Sequence, residues 1–233
     1  MDVYATRFAA WAPGFTGIED WKAWARGERA IPQSAESPAL DYTDPLYRRR
    51  LSQISRMTIQ VIHDVLPVEK DTRLVFVSFR GELARQFSIN RMLAGDGDIK
   101  PTAFSLSVFN TPPASAAIAL NLEAGYTAIY PGKDSFRTGL MAALAPVISG
   151  AVREILLVYA DELCPGEYGA AAGGYAVSQG GPSDAHPPVC VQPWTPFAFA
   201  ALLGRGNSGT PVVTSGEAAA TPEAFLKCLL LAS

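Results

Sequence analysis

Histidine is nearly absent from this chain: 233 residues hold two, His63 and His186. Cysteine is scarce as well, with Cys164, Cys190 and Cys228 widely spaced and odd in number. That spacing argues against a disulfide framework and against a zinc site, whose ligands come in close Cys/His pairs. Reduced thiols in a cytoplasmic protein are the expectation. Charged residues make up only 18% and sum to −3, so the basic footprint of a nucleic-acid binder is missing. No apolar run approaches the roughly 18 residues that a membrane span needs. The opening MDVYATRF lacks a charged segment followed by an apolar one, so secretion is not expected. No G-x-G-x-x-G follows a strand-like run, which leaves a dinucleotide without support, and no cofactor is expected.

What the chain does have is apolar surface. Hydrophobic residues make up 48%, enough at this length for one large core and a buried interface besides. Residues 2–9 read as a strand before a Pro13–Gly14 turn, and 18–27 as a small helix stopped by Gly27. Residues 28–45 read as loop. From Leu46, apolar residues at 47, 51, 54, 62 and 65 recur near the 3.6-residue period. They predict one long helix ended by Pro67, with Arg48, Arg49 and Arg50 on its other faces. RLVFVSF (73–79) predicts a buried strand and GELARQFSINRML (81–93) a helix. TAFSLSVFN (102–110) reads as extended, and PPASAAIALNL (112–122) as a helix of small residues with proline in its first turn. YTAIY (126–130) and EILLVYA (154–160) predict strands on either side of a helix over 135–149. This alternation predicts an α/β protein with a largely parallel sheet and helices on both faces. Residues 161–195, rich in Gly, Ala and Pro, predict a long loop. A further strand is expected over 196–205, turns over 206–220, and a closing helix over 221–231 with Thr221 as its N-cap.

One stretch carries chemistry. Residues 134–139 read DSFRTG and form an elbow between YTAIY and the helical run LMAALAPVI. The layout resembles the nucleophile turn of the β-ketoacyl synthases, which reads roughly T-A-C-T-S-G and whose cysteine carries the acyl chain. On that resemblance Phe136 stands in the cysteine's place, beside Asp134 and Ser135, and its phenyl ring has no nucleophilic atom. PTAFSLSVFN (101–110) resembles the family's segment along the dimer interface, 112–122 the interface helix that follows, and Ala160–Asp161–Glu162 the family's G-A-D/E strand end. The match covers roughly residues 1–160 and 194–205. It implies a thiolase-like fold in which the amino-terminal half is present and the second half is mostly missing. The whole chain, 1–233, then reads as a single truncated domain, its tail (206–233) a turn-rich segment and helix.

The departures from the family define the expected role. Its catalytic histidines lie in motifs like H-G-T-G-T and a later G-H, and neither His63 nor His186 sits in one. The glycine-rich ending N-x-F-G-F-G-G is absent too. Nucleophile, both histidines and most of the second half are therefore missing together. The pattern is similar to the truncated chain-length factors of aryl-polyene biosynthesis. The resemblance implies a subunit that is inactive alone and pairs with a catalytic β-ketoacyl synthase in a heterodimer, the acyl carrier protein being engaged by the complex. Ala103, Phe104, Phe109 and Asn110 would then lie at the acyl-tunnel end across the interface. The arginine run at 48–50 is either a solvated face or an aid to docking the acidic carrier protein. The alternative is a free-standing acyl hydrolase or acyltransferase using Ser135 or Cys164, although an Asp–Ser pair equally makes a helix N-cap.

Overall fold

The structure, a computed structural model, describes residues 3–95, 97, 99, 101–129, 135–166, 195–206, 208–212 and 220–232. Its strands are β1 (Val3–Trp11), β2 (Leu74–Val77), β3 (Tyr126–Ile129), β4 (Glu154–Asp161), β5 (Phe197–Arg205) and β6 (Thr210–Pro211). Its helices are α1 (Ile18–Ala25), α2 (Pro45–Arg48), α3 (Gln53–Val65), α4 (Leu83–Gly95), α5 (Pro101–Ser105), α6 (Thr111–Leu120), α7 (Ser135–Ser149) and α8 (Pro222–Ala232).

The strands form one sheet in the order β3-β2-β4-β5-β1-β6. β3, β2 and β4 run parallel, as the alternating β-α-β pattern requires. β5 pairs antiparallel with both β4 and β1, and β6 antiparallel with β1. The expected α/β architecture with helices on both faces is present, but the sheet is mixed rather than largely parallel.

Strict alternation sorts the strand residues between two cores. Val75, Val77, Leu157, Tyr159, Phe197 and Phe199 face α1, α7 and α8. Leu74, Phe76, Leu156, Val158, Ala198 and Ala200 face α3 and α6. Both faces of the sheet are thus covered, which is why β4 and β5 read as unbroken apolar runs. On β5 Phe197 and Phe199 point one way and Ala198 and Ala200 the other, and the alanine side leaves room for α3 to lie close.

Two segments depart from the sequence expectation. The helix predicted from Leu46 to Pro67 is two helices. Asp44 caps α2 by accepting from the Tyr47 N–H (2.8 Å), and Ser52 opens α3 by accepting from the Ser55 N–H (3.2 Å). A second N-cap side chain eight residues after the first offers the backbone an alternative to continuing the helix. Residues 102–110, predicted extended, hold α5 and a turn. There Ser105 and Ser107 donate back to the carbonyls of Thr102 (3.1 Å) and Phe104 (2.8 Å). These local bonds override the β-propensity of the run.

Candidate functional site

Phe136 is the second residue of α7 and is 1% exposed. Leu140, Ala143, Leu144 and Val147 follow it at helical spacing and bury the same face against the sheet. Gly139, the last residue of DSFRTG, explains how closely the helix lies. A Cβ at that position would overlap the side chain of Val77 on β2, and a buried valine is too stiff to swing aside. The elbow glycine is therefore a requirement of helix–strand approach. Around the Phe136 ring stand Phe225 at 5.6 Å, Phe199 at 6.1 Å and Tyr159 at 6.2 Å between centroids. Residue 136 thus belongs to an aromatic cluster, and its side chain offers no nucleophile. Asp134 lies outside the described residues, as does the side chain of Ser135, whose backbone opens α7.

The strand end Asp161–Glu162 organises the next turns. Asp161 is buried and accepts four hydrogen bonds, from the hydroxyls of Ser78 and Tyr159 (both 2.7 Å) and from the N–H groups of Phe79 (3.1 Å) and Arg80 (3.2 Å). Burial pushes its carboxyl up, and these donors oppose the push. They fix the turn that leaves β2 and carries Gly81 at φ +59. A Cβ on Gly81 would come within 2.7 Å of the Phe109 ring. That turn is thus both left-handed and bare, and Phe109 rests on it, 6.2 Å from Phe76.

Glu162 points toward α3 and α4, where its Oε1 accepts the Ala84 N–H at 2.8 Å. Nearby Glu82 is fully buried and accepts from the hydroxyls of Ser52 and Ser55 (both 2.7 Å) and from Arg85 Nε (3.3 Å). Glu162 is pushed up to about 8 from its ordinary 4.5, first by burial and then by the Glu82 carboxyl. Burial raises Glu82 and Asp161 as well, so all three groups act with one sign. The folded chain retains a proton on Glu162 that the unfolded chain releases above pH 4.5. This contribution to stability is complete below pH 4.5 and is lost as pH rises through about 8. Urea melts from about pH 5 to about pH 9 are therefore expected to show stability falling by several kcal/mol. Glu162→Gln, which keeps the bond to Ala84, should flatten that fall; an unchanged slope would remove Glu162 as its source.

Above Ser55 and Arg85 runs a groove of about 260 Å³ between α2–α3 and α5–α6. Tyr47, Leu51, Leu106, Val108, Ala114 and Ile118 line its walls, and Arg50 stands with Arg85 beside it. Of the four residues expected at a tunnel end, Asn110 lines this groove, and its amide also donates to the Tyr126 hydroxyl at 3.0 Å. Phe109 lies against Gly81 as described. Ala103 and Phe104 are not among the lining residues; Ala103 is half-buried, and Phe104 is 59% exposed. Sequence reading missed Tyr47, Leu51 and Ile118, which only the pairing of α3 with α6 brings to one place. Groove and elbow do not meet: Phe136 belongs to the α7 face of the sheet, and the groove to the α3–α6 face.

The remaining candidates stand apart. Cys164 is half-buried, and its thiol is pushed up by burial. Leu163 next to it bonds Gln53 at the start of α3, whereas His63 lies ten residues farther along that helix, about 15 Å away along its axis. His63 stacks on Tyr42 at 3.8 Å and meets Asp64 at 3.1 Å, and no thiol among the described residues is its partner. His186 and Cys190 lie outside the described residues. Among the described residues, no group of acidic, histidine or cysteine side chains forms a metal site, and no helix is long and apolar enough to cross a membrane.

Comparison with known proteins places this geometry. The family model "Beta-ketoacyl synthase, N-terminal domain" matches residues 21–221. No curated protein matches the chain. Among solved structures, one chain of the ketosynthase ApeO in complex with its chain length factor ApeC, from Xenorhabdus doucetiae, is 28% identical with a TM-score of 0.73. That match covers 99% of this chain and 92% of the other, so the two are nearly equal in length. The ishigamide ketosynthase/chain length factor matches at 14% identity and TM-score 0.64, over 91% of this chain and 64% of that one. A β-ketoacyl synthase from Burkholderia phymatum matches at 14% and 0.62, over 88% of this chain and 59% of that one. At such identities the last two speak for the fold alone.

Proposed function

Because the chain belongs to the β-ketoacyl synthase family through its N-terminal domain, we propose that it is a non-catalytic chain-length-factor subunit, one that pairs with a catalytic ketosynthase. The observation that carries this reading is Phe136, buried in an aromatic cluster at the elbow position where the family's turn has its cysteine. Asp134, Ser135 and Phe136 form a degenerate elbow, and the partner supplies the thiolate and the histidines. We read 1–233 as a single domain whose share of the work is to shape the acyl tunnel of a polyene- or polyketide-like product. Two features support a tunnel role at the α5–α6 face. The groove there cannot draw an acyl chain from this chain's own elbow, because the sheet lies between them. Ala103, Phe104, Phe109 and Asn110 lie on the segment leading into α6, with Phe104 free to cross an interface. A ring in the path of a growing chain stops it by overlap, and a small residue lets it extend. The acyl carrier protein is engaged by the complex.

The test is co-expression with candidate ketosynthases of the same organism, with only this chain tagged, followed by mass determination and an elongation assay. The expected result is a one-to-one complex that elongates while the ketosynthase alone does not. Phe104→Ala in that complex should lengthen or broaden the products. Turnover of an acyl thioester by this chain alone would overturn the proposal.

A further inference from the structure

Residues 26–44 join α1 to α2 with neither helix nor strand. A connection that long inside a compact domain is uncommon. Its two buried apolar anchors lie in different cores. Ile31 packs on the side of α1 and α7, and Leu40, 1% exposed at φ +53, on the side of α3 and α6. The segment between them therefore passes from one face of the sheet to the other. No backbone–backbone hydrogen bond holds residues 29–39 among the described residues. Side chains of α2 and α3 hold them instead. Arg48 donates to the carbonyls of Ala39 and Leu40 (both 3.1 Å), and Arg56 to the carbonyl of Pro38 (3.3 Å). The Gln53 amide donates to the carbonyls of Ser34 (2.8 Å) and Glu36 (2.6 Å). Farther along α3, the His63 ring stacks on Tyr42. The segment 29–44 is thus a strap tied down by side chains.

Gln53 holds a second segment as well. Its Oε1 accepts the Leu163 N–H at 2.8 Å, just past the Asp161–Glu162 strand end. Both N–H groups and the oxygen of one amide are therefore engaged, by segments far apart in sequence. These bonds settle which way the planar amide faces. Turned over, it would set its oxygen against two carbonyls and its NH2 against an N–H. The strap carbonyls aim the oxygen at Leu163, and a Gln53 released by the strap no longer keeps it there.

We propose that the strap (29–44) and the exit of β4 (162–164) open and close as one unit, with Gln53 as their shared fastener. A segment held by side chains, without a ladder of its own, opens locally while the sheet stays closed. When the strap lifts, Leu163 loses its acceptor, and the half-buried Cys164 beside it becomes more accessible. At its other end the strap runs into α2, whose Tyr47 lines the groove. The exit of β4 is thereby tied to one groove wall. The device is built into the single chain and does not depend on the heterodimer proposed above.

The experiment reads both segments in the full chain, as wild type, Gln53→Ala, Arg56→Ala and the double variant. Strap opening is followed by cleavage after Glu36 with a glutamate-specific protease, and the β4 exit by hydrogen exchange of the Leu163 amide. Maleimide labelling of Cys164 is a third readout, located by peptide mass so that Cys190 and Cys228 are counted separately. Gln53→Ala is expected to speed all three by roughly 5–10-fold. Arg56→Ala is the decisive variant, because its bonds to the Pro38 and Arg48 carbonyls do not reach the β4 exit. It should nevertheless speed Leu163 exchange and Cys164 labelling by loosening the strap. Added to Gln53→Ala, it should speed strap cleavage further and leave Leu163 where Gln53→Ala put it. Amides of the β4–β5 ladder should exchange as in wild type. If Arg56→Ala speeds cleavage after Glu36 while Leu163 and Cys164 stay at wild-type rates, the two segments are independent and the proposal is overturned. Unchanged cleavage in both single variants also overturns it, because Ile31 and Leu40 would then hold the strap alone.

Discussion

Phe136→Ala is expected to destabilise the chain by about 3–5 kcal/mol, enough to unfold much of it. The ring is 1% exposed and shares contacts with Tyr159, Phe199 and Phe225. Gly139 holds α7 tight on β2, so the helix cannot sink into the void by much. The vacated space therefore stays as a cavity, which is the costly outcome of a large-to-small change. Denaturant melts give the number directly, and a loss under about 1 kcal/mol would mean that the elbow is not packed as described. Phe136→Cys separates packing from chemistry. On the proposed function it places a thiol where the family keeps its nucleophile, yet the predicted result is no acylation by an acyl-thioester probe. A thiol sunk among aromatic rings is held protonated, and no imidazole among the described residues reaches it. Stable labelling at residue 136 would show that the elbow retains more of an active site than a bare position.

Asp161→Ala should be nearly as damaging, on the order of 3–5 kcal/mol, by a different route. The substitution removes one acceptor group and strands four donors, two hydroxyls and two backbone N–H groups, in the protein interior. Unmet buried donors are more expensive than the bonds themselves are favourable. Asp161→Asn keeps one carbonyl oxygen and should lose clearly less. The effect should also spread, because the turn tied down by Asp161 presents Gly81 to Phe109, and Phe109 precedes the start of α6. Hydrogen exchange in α6 is the readout: faster exchange there at a denaturant concentration where the sheet stays protected confirms the linkage. Equal protection in wild type and variant would confine Asp161 to a local role.

The central strands β2, β4 and β5 were legible in the sequence because both their faces are buried. LVFV is apolar throughout, EILLVYAD is apolar between its charged ends, and no competing local signal opposes them. Direction was less legible. The order around β2, β3 and β4 predicts parallel pairing, but β5 follows β4 across some 35 residues, a connection long enough to return in either sense. The error over 102–110 came from serines, whose hydroxyls were free to turn the backbone back on itself. Over 134–139 the resemblance pointed to a missing nucleophile. It did not show the ring cluster, since Phe136 meets Tyr159, Phe199 and Phe225 only after three separate elements converge. The same limit applies to the groove, whose walls come from residues as far apart as Tyr47 and Ile118.

The sheet is bounded by short strands, β3 with four residues and β6 with two. Each offers an incoming chain little backbone to pair with, among the described residues. Fibre-like growth by strand addition, the usual hazard of an open sheet, is thereby starved of a template. The long, sticky strands β4 and β5 sit in the middle, where only a wholesale opening of the molecule would uncover them. Self-association of the free chain is then expected to run through side chains of the helical faces and to reverse on dilution.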